Sequence, residues 1–235
     1  MGKIFIIGIG SKARMGKDQS ALYMTDMRKH VYTMHFADVL KEECANKDRK
    51  YPLIIQCITS KYSGYTYGFL DDAKIGNYTF VGQYDCPLVH KIFTDRNIKE
   101  YAGMDGKDAP ILQLWGTNFR RNLTDDKYWI HRINDNIQKI IDDTADINDN
   151  IYILIPDTRF RNEYNFVKSF RYGTFLRVER MLENGENFYA IDRPRDHPSE
   201  VDLDETKEDY LIQATNLEEL KLKDEQFLNE IDKME

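Results

Sequence analysis

The chain has 235 residues, 41% hydrophobic and 31% charged, enough apolar material for a full core and too many charges for a membrane-embedded protein. Its 33 Lys+Arg against 40 Asp+Glu leave a net charge of −7, which repels a nucleic-acid backbone on average and confines any basic site to a local cluster. Three widely spaced cysteines, Cys44, Cys57 and Cys86, carry no C-x-x-C spacing and predict reduced thiols in a cytoplasmic compartment.

The run Ile4 to Ile9 is too short to span a membrane and lacks a cleavage signal, so neither anchor nor leader is expected. It reads as a central strand buried on both faces. Gly8-Ile9-Gly10-Ser11-Lys12-Ala13-Arg14-Met15-Gly16-Lys17-Asp18 follows, and Gln19 to His30 is helical. Strand, glycine-bearing loop, Gly-Lys and helix in that order suit an anion. Glycines let backbone N–H groups turn inward, the helix adds a positive N-terminus, and Lys17 adds a point charge. Two positions depart from G-x-x-x-x-G-K-[ST]. Ser11 stands where the first glycine belongs, so either the turn is displaced onto Gly10 or Ser11 holds a left-handed backbone. Asp18 replaces the hydroxyl that normally meets Mg²⁺, and a carboxylate there can hold the metal through water. An ordinary strand-to-helix turn is the competing reading.

A strand over Tyr32–Phe36 and a helix over Asp38–Ala45 are expected next. Residues 47–110 read as an irregular, tyrosine-rich insertion, in which Tyr62, Tyr65 and Tyr67 either stack on a base or pack a small cluster. Thr124-Asp125-Asp126 predicts a helix start, and Ile130, Ile133, Ile137, Ile140 and Ile141 recur at helical spacing beside a packing Trp129. The acidic stretch from Asp142 to Asn150 lacks the glycine and glutamate of a calcium loop.

Ile151–Ile155 predicts a second buried strand, ending in Pro156-Asp157-Thr158-Arg159. A carboxylate at the carboxyl end of a parallel strand suits a metal or proton-accepting role, and an adjacent arginine can clamp a phosphate; the alternative is that Asp157 caps the helix near Phe160–Phe170. Strands at Thr174–Val178 and Tyr210–Gln213 flank a charged stretch, Arg180–Glu208, whose Arg180, Arg193 and Arg195 read as a lid or as solvated surface. Leu217, Leu220, Phe227, Leu228 and Ile231 mark a last amphipathic helix. Together these elements predict one α/β domain over 1–235, with a mostly parallel sheet of about five strands, the 47–110 insertion and a lid at 180–208.

Gly16-Lys17-Asp18, Phe36-Ala37-Asp38-Val39-Leu40-Lys41, Leu112-Gln113-Leu114-Trp115-Gly116-Thr117 with Tyr128-Trp129, Pro156-Asp157-Thr158-Arg159, His197-Pro198-Ser199-Glu200 and Thr215-Asn216-Leu217-Glu218-Glu219-Leu220 follow one another along nearly the whole chain. In this order they resemble the deoxynucleoside monophosphate kinases of phages and large viruses, a branch of the nucleoside monophosphate kinase-like P-loop fold. The resemblance implies phosphoryl transfer from ATP with Mg²⁺ to a small nucleotide. It puts the ATP phosphates on Ser11, Lys12, Ala13, Arg14, Met15, Gly16, Lys17, Asp18 and Gln19, and the adenine along Ala214, Thr215 and Asn216. The acceptor is expected near Asp38, Lys41, Arg120, Arg121, Arg159, His197 and Glu200. Lys17, Asp157, Arg159 and Arg180 are the expected catalytic groups, with Asp18 and Asp157 at the metal. Small nucleotides are the expected partners, with no nucleic acid or membrane, and a homodimer stays open. Kinases of phosphomevalonate or dephospho-coenzyme A, and an inactive nucleotide-binding module, remain alternatives.

Overall fold

A computed structural model describes residues 2–45, 54–59, 65–71, 74–84, 116, 121, 125–189 and 201–234; for 41–45 and the strands between 54 and 84 it describes the backbone. Tyr62, Cys86, Leu112–Trp115, Arg120, Thr124, Arg193, Arg195, His197 and Glu200 lie outside the described residues. The chain divides into two compact units, one of Met1–Phe36 with Ile130–Glu235, the other Ala37–Trp129.

The first unit is an α/β layer structure. Its strands are β1 (Ile4–Gly10), β2 (Val31–Thr33), β6 (Ile151–Ile155), β7 (Gly173–Arg180) and β8 (Tyr210–Ala214), all parallel, in the order β2-β6-β1-β7-β8. β1 is central, with Ile4 opposite Ile151 on one side and Ile6 opposite Gly173 on the other. That position explains its unbroken apolar run, because both faces are covered. On one face, Phe5, Ile7 and Ile9 pack with Ala21 and Met24 of helix α1 (Lys17–Met27) and with Leu220, Phe227, Leu228 and Ile231 of the C-terminal helix α5 (Leu217–Ile231).

The opposite face of β1 meets helix α4 (Arg161–Lys168) through its glycines. A Cβ at Gly8 would stand 2.9 Å from Val167 Cγ2, and one at Gly10 would stand 2.3 Å from Cζ of the fully buried Phe175. Both glycines therefore serve close packing inside the strand. Helix α3 (Tyr128–Asp143) buries Ile130, Ile133 and Ile137, with Ile140 and Ile141 half-buried at its edge.

Several boundaries differ from the sequence expectation. Phe36 begins helix α2 (Phe36–Ala45) instead of closing a strand. β2 ends at Thr33, and Asp157 Oδ1 accepts the Phe36 N–H at 2.9 Å where the helix begins. Leu217, expected on the buried stripe of α5, is 58% exposed. In the second unit, β3 (Ile54–Thr59), β4 (Tyr65–Asp71) and β5 (Lys74–Tyr84) form an antiparallel sheet, where an irregular stretch was expected. Trp129 is buried in this unit, and its indole N–H donates to the Gly116 carbonyl at 3.0 Å, in keeping with a packing role. No helix among the described residues is long and apolar enough to cross a membrane.

Candidate active site at the carboxyl edge of the sheet

Because the five strands of the first unit run parallel, their carboxyl ends share one edge, where open α/β sheets place their ligands. The segments that meet it are 11–16 after β1, Met34-His35 after β2, 156–160 after β6, Arg180 at the end of β7 and Thr215-Asn216 after β8. Most of the ATP-side residues expected from sequence therefore belong to one edge of one unit.

The loop between β1 and α1 is shaped by two left-handed residues, Arg14 (φ 63°) and Gly16 (φ 101°). Neither Ser11 nor Gly10 has positive φ: the expectation of a left-handed Ser11 is corrected, and Gly10 is the last residue of β1. The left-handed cost, about 1–2 kcal/mol for a residue with a Cβ, falls on Arg14 instead. Alternate loop residues anchor it. Ala13 and Met15 are buried, Arg14 is exposed, and Met15 Sδ accepts the Arg180 N–H at 3.4 Å. Lys12 pairs with Asp204 at 3.2 Å, tying the loop to the 201–208 segment.

Gly16 is the N-cap of α1 and has no side chain to satisfy the first-turn N–H groups. Among the described residues no cap side chain takes the first-turn N–H groups, and the helix presents a positive N-terminus. Lys17, its first residue, is only 7% exposed, and its Nζ stands 3.3 Å from Asp18 Oδ2. A buried ammonium is costly unless anions surround it, and the Asp18 side chain is itself 72% exposed.

His35, which the sequence reading did not single out, places Nε2 3.9 Å from Asp18 Oδ1. The next residue gives its N–H to Asp157. The dipeptide His35-Phe36 thus joins the two expected metal-side carboxylates, Asp18 from α1 and Asp157 from β6.

The segment after β6 is held from below by Glu163, which is 1% exposed. Its Oε2 accepts the N–H groups of Arg159 (2.8 Å) and Phe160 (3.1 Å). Glu163 therefore serves the N-terminus of α4, the task that the competing reading gave to Asp157. Thr158, also buried, donates its hydroxyl to the Ile155 carbonyl at 3.0 Å. Arg159 is half-buried beside these groups.

Arg180 ends β7 with its guanidinium 4.6 Å from the Phe188 ring centroid. The chain then doubles back: Met181 bridges Asn187, and Gly185 turns at φ 83°. Residues 180–189 of the expected lid are therefore a short hairpin, while 201–208 is fastened by Arg177, which reaches Glu208 and the carbonyls of Leu203 and Thr206.

At β8, Ala214 is buried, and Thr215 and Asn216 form the start of α5. Asn216 Oδ1 accepts the Glu219 N–H at 2.9 Å, and Glu219 Oε2 accepts the N–H of Thr215 at 2.8 Å. Hydrogen bonds from Lys223 and Thr215 hold the Glu219 carboxyl down to about 2. The expected adenine wall is thus also a helix cap, which the N-x-x-E spacing could have indicated.

Asp38, Lys41 and Arg121 belong to the second unit. Asp38 is exposed in the first turn of α2, Arg121 is half-buried, and Lys41 is described by backbone alone.

No protein-family model matches this chain, and no curated protein matches it significantly.

Proposed function

We propose that this chain is a P-loop phosphotransferase that passes the terminal phosphoryl group of ATP to a deoxynucleoside 5′-monophosphate. One observation carries the reading: the Lys17 side chain is only 9% exposed at the N-terminus of α1, which no cap side chain closes, at the carboxyl end of the central strand of a parallel sheet. The sheet edge supports it with Asp157 and Arg159 after the neighbouring strand.

In this reading, residues 11–19 wrap the triphosphate, the α1 donors meet its oxygens, and Lys17 turns from Asp18 to the outer phosphates. In this reading Asp18 and Asp157, hard oxygen donors that both contact the His35-Phe36 dipeptide, would hold a magnesium ion. When bound, that ion would offset phosphate charge. Arg159 and Arg180 add positive charge where negative charge develops during transfer, and Ala214 to Asn216 border the base. Little covalent chemistry is asked of the protein, because alignment and charge neutralisation supply most of the acceleration. The deoxynucleotide acceptor rests on the family resemblance.

Lys17→Ala tests the phosphate loop. Turnover of ATP with a deoxynucleotide acceptor should fall about a hundredfold or more, with the circular dichroism spectrum unchanged. Full activity in that variant would remove the assignment.

A further inference from the structure

At the other edge of the same sheet, the amino ends of β7 and β8 border a groove of about 540 Å³. Tyr172, Tyr210 and Met234 form part of its wall, and Lys168, Arg171 and Lys207 line it with Glu208 and Asp209. The volume lies within the range of small-molecule sites. Parallel strands put this groove a strand length, roughly 15–25 Å, from the loop at 11–16.

The charges of the groove are unequally committed. Asp209 is neutralised by Lys168 at 2.7 Å and accepts the Phe175 N–H at 2.8 Å. Glu208 is paired with Arg177 at 3.1 Å. Among the described residues, no ion pair engages Arg171 or Lys207, and both are exposed. The Arg171 guanidinium lies 5.1 Å from the Tyr172 ring centroid, a cation–π contact. Tyr172 and Tyr210 are themselves steadied by Phe5 and Phe227, at centroid distances of 5.4 and 4.9 Å. The lining thus combines two uncommitted cations, two braced aromatic rings and a polarisable methionine.

We propose that this groove is a second ligand site, separate from the carboxyl edge, for a planar aromatic phosphate monoester of mononucleotide size. The ring lies against Tyr172, Tyr210 and Met234, and the phosphate meets Arg171 and Lys207. Apolar lining with a few convergent polar groups provides ring contact and orientation, while arginine supplies a fork matched to phosphate oxygens. Neither cation belongs to the carboxyl edge, so occupancy here is independent of phosphoryl transfer.

The test uses methionine methyl NMR on the full chain, with Met234 as reporter of the groove and Met15 as reporter of the loop at the other edge. Deoxyadenosine monophosphate, deoxyadenosine and inorganic phosphate are titrated separately. The mononucleotide should shift Met234 at lower concentration than either fragment. Arg171→Glu with Lys207→Glu should weaken that response at least about tenfold, the effect of losing one charge-assisted hydrogen bond or more, and leave any Met15 response in place. Met234 unmoved by millimolar mononucleotide, or shifted alike by all three compounds, overturns the proposal. So does an undiminished Met234 response in the double variant.

Discussion

Asp224 is fully buried on α5, and Ser20 of α1 donates to its Oδ1 at 2.5 Å. Its Oδ2 is buried without a hydrogen-bond partner among the described residues. Burial pushes this carboxyl up to about 7 from 3.8, against the smaller lowering effect of Ser20. The folded protein therefore binds this proton more tightly than the unfolded chain, and stability falls as pH rises from about 4 to about 7 and is flat beyond. At 1.36 kcal/mol per pH unit the whole window corresponds to roughly 4 kcal/mol, of which about 2–3 kcal/mol lies between pH 5 and 7.5. Asp224→Asn removes the titration and keeps an oxygen for Ser20. In urea unfolding followed by helix circular dichroism, the variant should gain on wild type by that amount as pH rises from 5 to 7.5. Parallel pH profiles for the two proteins would refute the reasoning.

Two further substitutions probe the edge that positions the site. Gly10→Ala would drive a Cβ to 2.3 Å from the buried Phe175 ring, which has no room to yield, so urea unfolding should show a loss of about 1–3 kcal/mol; a change below about 0.5 kcal/mol, the scale of an ordinary surface substitution, would contradict the packing role. Glu163→Ala strips the acceptor from the Arg159 and Phe160 N–H groups and should cost about 2–3 kcal/mol, with Glu163→Gln recovering part of it. Equal stability of the alanine and glutamine variants would show that the two N–H groups find other partners.

How much of this was legible beforehand depended on whether a residue's task was local. Ile4–Ile9 and Ile151–Ile155 announce buried strands because nothing interrupts their apolar runs, and the order strand, loop, Gly-Lys, helix places Lys17 where α1 begins. Tasks set by distant partners were not readable. Gly8 and Gly10 look like loop glycines, yet their reason is Val167, Thr158 and Phe175, all more than a hundred residues away in sequence. Glu163 hides because the residue at the helix start is Phe160, so no polar N-cap flags the glutamate that serves the turn. Phe36 reads as a strand end by hydrophobicity, yet it starts α2, with its N–H given to the distant Asp157 carboxylate. Asp224 left a trace: it falls four residues from both Leu220 and Leu228 on the buried stripe of α5, and a lone acid on such a stripe marks a buried charge.

The phosphotransferase reading is tested most directly by offering the purified protein Mg-ATP with separate acceptors and measuring ADP. The panel holds each deoxy- and ribonucleoside monophosphate, phosphomevalonate and dephospho-coenzyme A. The account predicts ADP formation with deoxynucleoside monophosphates, abolished by Lys17→Ala. Turnover with phosphomevalonate or dephospho-coenzyme A alone would contradict the acceptor, and ATP binding without turnover on any acceptor would contradict the reaction.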